Sequence, residues 1–135
     1  MLNENNREAP DNVRTAEILT NPDVILKIEN PSERQQIVAV QKKPELIAHL
    51  PFAGEKVQLS AVIVSAESVL LINDPTPTAC FMAVEGILEL DLLPDQCTLD
   101  AAKRLVLQMK KDKAEGKPDT AAIEKFLTEI KSFKN

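Results

Sequence analysis

The chain of 135 residues contains no tryptophan, no tyrosine, one histidine, two cysteines and three glycines. Each scarcity removes a class of chemistry. With four phenylalanines as its only aromatics, it has no set of platforms on which the bases of a single strand could stack. Three glycines do not supply a glycine-rich phosphate loop. A single histidine, His49, excludes a two-histidine metal site and a relay between histidines. β-Rich folds draw on aromatics and turn glycines, so the same shortages favour helix.

Positive charge is missing from the middle of the chain. Between Lys56 and Lys103 there is no Lys or Arg, while Glu67, Asp74, Glu85, Glu89, Asp91, Asp95 and Asp100 all fall there. Residues 1–100 hold 7 basic against 16 acidic residues, and residues 101–135 hold 9 against 5. An acidic body with a basic tail argues against direct nucleic-acid binding, which needs clustered Lys and Arg facing phosphates. It favours a partner protein with a basic surface.

Long apolar runs are also absent. The longest, Val57 to Ile72, is interrupted by Gln58 and Glu67, and a membrane span needs about 20 apolar residues. The start, "MLNENNREAPDN", is polar and lacks the apolar centre of a secretory signal. A cytoplasmic location is therefore expected, with Cys80 and Cys97 as buried free thiols.

What the sequence does have is a repeat. Steps of 22 from Ile18 reach Val40, Val62, Val84 and Val106. The preceding column reads Glu17, Ala39, Ala61, Ala83 and Leu105; another reads Thr15, Ile37, Leu59, Phe81 and Lys103. Later in each unit come Val24, Leu46, Ser68 and Leu90, then Ile25, Ile47 and Val69, and the units close at Ile28, Leu50 and Ile72. Self-similarity at this period marks a stacked-repeat architecture.

Helix punctuation occurs twice per unit. Asn21-Pro22, Pro31-Ser32 and Thr76-Pro77 join a capping side chain to a proline that loses nothing in a first turn. Second starts fall at Pro44-Glu45, Ala66-Glu67 and Leu88-Glu89. Each unit should then hold a helix of about ten residues and a second of about seven, partly 3₁₀. Neither is stable alone at that length, so stacking must supply the burial. Taken singly, "VQLSAVIVS" and "ILELDLL" suit strands; in register with "RQQIVAVQKK" they read as helix.

After Pro94 the columns dissolve. Asp100 to Lys113 reads as one longer amphipathic helix burying Ala102, Leu105, Val106 and Met109. Gly116 stops it, and Asp119 or Thr120 starts a last helix burying Ile123, Phe126, Leu127, Ile130 and Phe133. The expected fold is all-α: a compact α-solenoid of short helix pairs with two longer C-terminal capping helices. A flexible segment is expected over 1–11 and one domain over 12–135, its repeats spanning about 12–94 and its cap 95–135.

"NPSERQQIVAVQKKPELIAHL" and "NDPTPTACFMAVEGILELDLL" resemble units of two repeat groups. One is a family of short helical repeats of unknown function, common in bacterial, phage and large-virus proteins. The other is the variant leucine-rich repeats, which alternate an α-helix with a 3₁₀ helix. The resemblance covers about residues 15–94, without the basic residue often found ahead of Ala-Val or the cysteine cluster of some leucine-rich variants. It implies a scaffold for contacts and brings no catalytic residue.

Candidate chemistry is correspondingly thin. No catalytic, cofactor or metal-binding residue is assigned, and the chain is not expected to be an enzyme. His49 ends a short helix, where it caps carbonyls or faces water. Cys80 precedes Phe81 in a buried register, which suits a structural thiol. The acidic column Asp23, Glu45, Glu67 and Glu89 falls in the first turn of each second helix, where the helix dipole favours negative charge. Stacked units would align it along one edge, as a docking stripe for a basic protein surface. The expected function is a non-catalytic helical-repeat module that binds a partner protein through an acidic or concave face. The alternatives are an assembly component, for example of a phage particle and then located in the virion, and an acidic inhibitor mimicking nucleic acid.

Overall fold

A computed structural model of the chain describes residues 11–133, with side chains from Arg14 onward. Among these residues every regular element is helical. Four α-helices open at 22-residue intervals: α1 (Asp11–Thr20), α2 (Glu33–Lys42), α3 (Glu55–Val64) and α4 (Pro77–Leu88). Between them lie three 3₁₀ helices at the same spacing: η1 (Pro22–Lys27), η2 (Pro44–His49) and η3 (Ala66–Leu71). Two longer helices close the chain, α5 (Gln96–Ala114) and α6 (Thr120–Ser132). The expected flexible segment 1–11 lies outside the described residues, apart from Asp11, which opens α1.

Packing follows chain order. Each α-helix lies against the next, and α1 to α4 lie against the 3₁₀ helices beside them in the chain; η2 packs on η3, and α5 also reaches η3. The all-α solenoid read from the repeat is the observed fold, since elements bury their apolar faces almost wholly against sequence neighbours. Its core is the repeat itself. Ile18, Val40, Val62, Val84 and Val106 are all buried, as are Ala39, Ala61 and Ala83 beside them. Small alanines let successive helices approach, and the branched residues fill the space between. The second-helix column buries Ile25, Ile47 and Val69 in the same way.

The break between α and 3₁₀ within a unit has a local cause. Pro22 and Pro44 push the preceding residue out of the helical region, so Asn21 and Lys43 take extended ψ values of 92° and 84°. At the loops between units, Ser32 accepts from the Gln35 backbone while the Gln35 side chain accepts from the Ser32 backbone, a reciprocal capping box. Thr76 caps α4 by accepting from Ala79. Asn21, expected to cap, is the N-cap of η1 but makes no side-chain capping bond.

A further column clamps these loops. Gln36 Nε2 donates to the carbonyl of Pro31, Gln58 Nε2 to that of Ala53 (both at 3.1 Å), and Cys80 Sγ lies 4.0 Å from that of Pro75. The three side chains are 22 residues apart, and each reaches the carbonyl five residues back. Gln58 also accepts the Thr76 backbone N–H at 2.9 Å, tying its own unit to the next.

The fourth unit departs from expectation. No second helix starts at Leu88-Glu89. Leu88 stands where Pro22, Pro44 and Ala66 stand in earlier units; the chain breaks before Ala66 without a proline, with Ser65 at φ −147° and ψ 106°, but at Leu88 the helix is not interrupted. Helix α4 therefore runs two residues longer than α1, α2 or α3 and ends at Glu89 with φ +53°. Gly86 permits this overrun to pass close to η3, since a Cβ there would lie 3.1 Å from that of Ala66.

The closing helices differ from expectation at their ends. Helix α5 begins at Gln96 rather than Asp100, because Asp95 accepts from Thr98 N–H at 2.9 Å and caps it four residues earlier. It stops as expected at Gly116, whose φ of +72° lets Lys117 N–H return to the Asp112 carbonyl at 2.7 Å. Phe126 and Ile130 of α6 are buried, whereas Phe133, expected to be buried, lies beyond the helix and is exposed. Helix α5 is held to the repeats by two cations: Lys103 pairs with Asp74 at 3.4 Å, and Lys110 donates to the carbonyls of Ile72 and Asn73.

Candidate protein-binding edge

Each 3₁₀ helix carries an acid at its second residue: Asp23 in η1, Glu45 in η2 and Glu67 in η3. The position follows from the repeat, because the chain breaks one residue earlier each time. Proline or alanine opens the 3₁₀ turn, and the acid follows it in the first turn, where the helix dipole favours negative charge. The next apolar pair points inward, as with Leu46 and Ile47, leaving the acid outside.

The structure places three of the four expected residues in this register and separates the fourth. Glu89 is the left-handed residue that ends α4, not the first turn of a 3₁₀ helix. The remaining three differ in partnership. Asp23 accepts from Lys43 Nζ at 2.9 Å, an ion pair that joins η1 to the start of η2. That hydrogen bond, and then the carboxylate charge, hold the Lys43 ammonium above its ordinary pKa. Glu45 and Glu67 are exposed, and among the described residues neither forms an ion pair. Because η2 packs on η3, these two carboxylates stand at equivalent points of adjoining turns.

The neighbouring acids are committed to structure. Asp74 pairs with Lys103, and Glu85 accepts the Leu92 backbone N–H at 3.1 Å. His49, the last residue of η2, is exposed.

The two cysteines are both free but unlike each other. Cys80 is wholly buried, and burial is the main cause that pushes its thiol up to about 12, against the opposing charges of Lys103 and Lys110. A thiol that stays protonated at neutral pH is a poor nucleophile. Cys97, expected to be buried, is exposed in the first turn of α5. Among the described residues no group of three or more His, Cys, Asp or Glu is placed to hold a metal, and no helix is long and apolar enough to cross a membrane.

Sequence reasoning missed one feature of the surface. Helices α5 and α6 enclose a groove of about 810 Å³ whose walls include Leu105, Leu107 and Phe126 and the cations Arg104, Lys111 and Lys125. The only signal was the basic composition of residues 101–135. Comparison of the chain with protein-family models, with curated proteins and with solved structures gives no match.

Proposed function

We infer that the chain is a non-catalytic helical-repeat module that binds another protein, one with a basic surface, through the edge formed by η2 and η3. The observation that carries this is the pair Glu45 and Glu67. They sit at equivalent positions of two packed 3₁₀ helices, both exposed and neither in an ion pair among the described residues, although the Lys43 charge, itself paired with Asp23, is felt at Glu45. An edge that serves only stability would gain from pairing them, as Asp23 is paired with Lys43.

Two carboxylates at a fixed spacing steer an approaching Lys- or Arg-bearing surface and fix its register. Their supports are rigid, since Leu46, Ile47, Ser68 and Val69 anchor both turns in the core. The alternation of α with 3₁₀ helices supports a relationship to the variant leucine-rich repeats, a scaffold without catalytic residues. A cytoplasmic setting fits this role.

Affinity capture from the source cell tests the reading. The tagged chain should enrich a basic protein identified by mass spectrometry, and the double variant Glu45→Lys/Glu67→Lys should lose it. Undiminished capture by the double variant contradicts the assignment to this edge.

A further inference from the structure

Among the exposed apolar positions of the described residues, two features carry opposite charge. The first is the α5/α6 groove, with Leu105 and Phe126 among its apolar walls and Arg104, Lys111 and Lys125 along it. Arg104 is engaged by Glu129 across the groove, while Lys111 and Lys125 form no ion pair among the described residues. The second is the segment 89–95, "ELDLLPD", between α4 and α5. Leu93 is 77% exposed at its centre, flanked by the exposed acids Asp91 and Asp95.

That segment is not loose. Leu90 and Leu92 pack against the core, and the Glu85 carboxylate accepts Leu92 N–H at 3.1 Å. On the other side, Asp95 N–H donates to the Leu93 carbonyl at 2.9 Å while the Asp95 side chain caps α5. Leu93 is thus presented by a segment fixed on both sides, which lowers the ordering cost of any contact it makes. Leu93 does not line the groove of its own chain.

We propose that the occupant of the α5/α6 groove is the segment 89–95 of a second copy of this chain. Leu93 packs beside the exposed Leu107, over the groove floor that Leu105 and Phe126 form, and Asp91 and Asp95 face Lys111 and Lys125. Charge complementarity selects this occupant: the loop comes from the stretch without a basic residue, and the groove from residues 101–135, which hold 9 basic against 5 acidic residues. A loop-to-groove contact joins two different patches, so it closes into a dimer when reciprocal and otherwise extends head to tail. The residues involved are separate from Glu45 and Glu67, so this contact and the partner-binding edge stand or fall independently.

Sedimentation equilibrium of the full chain up to ~1 mM, where a Kd of that order is still visible, tests the proposal. Use a loop variant, Asp91→Lys/Leu93→Ser, and a groove variant, Lys111→Glu/Lys125→Glu, all at exposed or groove-lining positions, with helicity checked by circular dichroism. Wild type should associate with rising concentration and more weakly at high salt, and each variant should associate at least tenfold more weakly. Mixing the two variants restores one intact loop and one intact groove, so the mixture should regain association that neither shows alone. Monomeric wild type across the range overturns the proposal. So does association that survives either variant, or a mixture that stays monomeric.

Discussion

Gln58 and Thr76 are joined across two units of the stack. Gln58 Oε1 accepts the Thr76 backbone N–H at 2.9 Å, while its Nε2 donates to the Ala53 carbonyl at 3.1 Å. One buried side chain therefore satisfies a loop on each side of α3. Gln58→Ala should orphan both groups and destabilise by about 2–6 kcal/mol, taking 1–3 kcal/mol for each group left unpaired, and toward the lower end because both groups are only partly buried. Gln36→Ala, at the equivalent but half-buried position with one bond, should cost about 1 kcal/mol. Urea unfolding of both variants checks the order.

Ser68 stands in the column of Val24 and Leu46, and its buried Oγ has no hydrogen-bond partner among the described residues. An unpaired buried hydroxyl costs stability that a methyl does not. Ser68→Ala should stabilise the fold by about 1 kcal/mol, seen as a higher denaturation midpoint with an unchanged slope.

Glu89 ends α4 at φ +53°, a conformation that L side chains adopt at a cost of roughly 1–2 kcal/mol and glycine adopts freely. Glu89→Gly should raise the melting temperature. A lowered one would mean that the carboxylate has a structural role at this turn.

The cysteines should separate in reactivity. Iodoacetamide at pH 8 should modify Cys97 and spare Cys80, which should react only after unfolding. Because the Cys80 thiol is pushed from 9.0 to about 12, the folded chain keeps a proton that the unfolded chain releases. Its contribution is whole below pH 9 and is lost progressively as pH rises toward 12. Cys80→Ala should flatten that part of the stability–pH curve relative to wild type.

The sequence made the stack legible because a 22-residue step keeps each side chain in one environment. Val40, Val62 and Val84 share a column and a burial state, and the helix starts repeat at the same interval. The Gln36, Gln58 and Cys80 clamp was visible by the same step, but chemically unlike residues hid its shared role. The overrun of α4 was not legible, since neither Ala66 nor Leu88 carries a proline, yet the chain breaks only at Ala66. Of the acidic column, Asp23, Glu45 and Glu67 were readable, while the Asp23–Lys43 pair and the α5/α6 groove depend on packing between elements that no local pattern records.

The binding edge is tested most directly by titration calorimetry of the purified captured partner against three proteins: wild type, Glu45→Lys/Glu67→Lys, and a control reversing the exposed acids Glu33 and Glu124. A loss of about tenfold or more in affinity, ~1.4 kcal/mol, is expected for the edge variant, with the control close to wild type. Equal affinity of the edge variant and wild type, or an equal loss in the control, contradicts a specific role for Glu45 and Glu67.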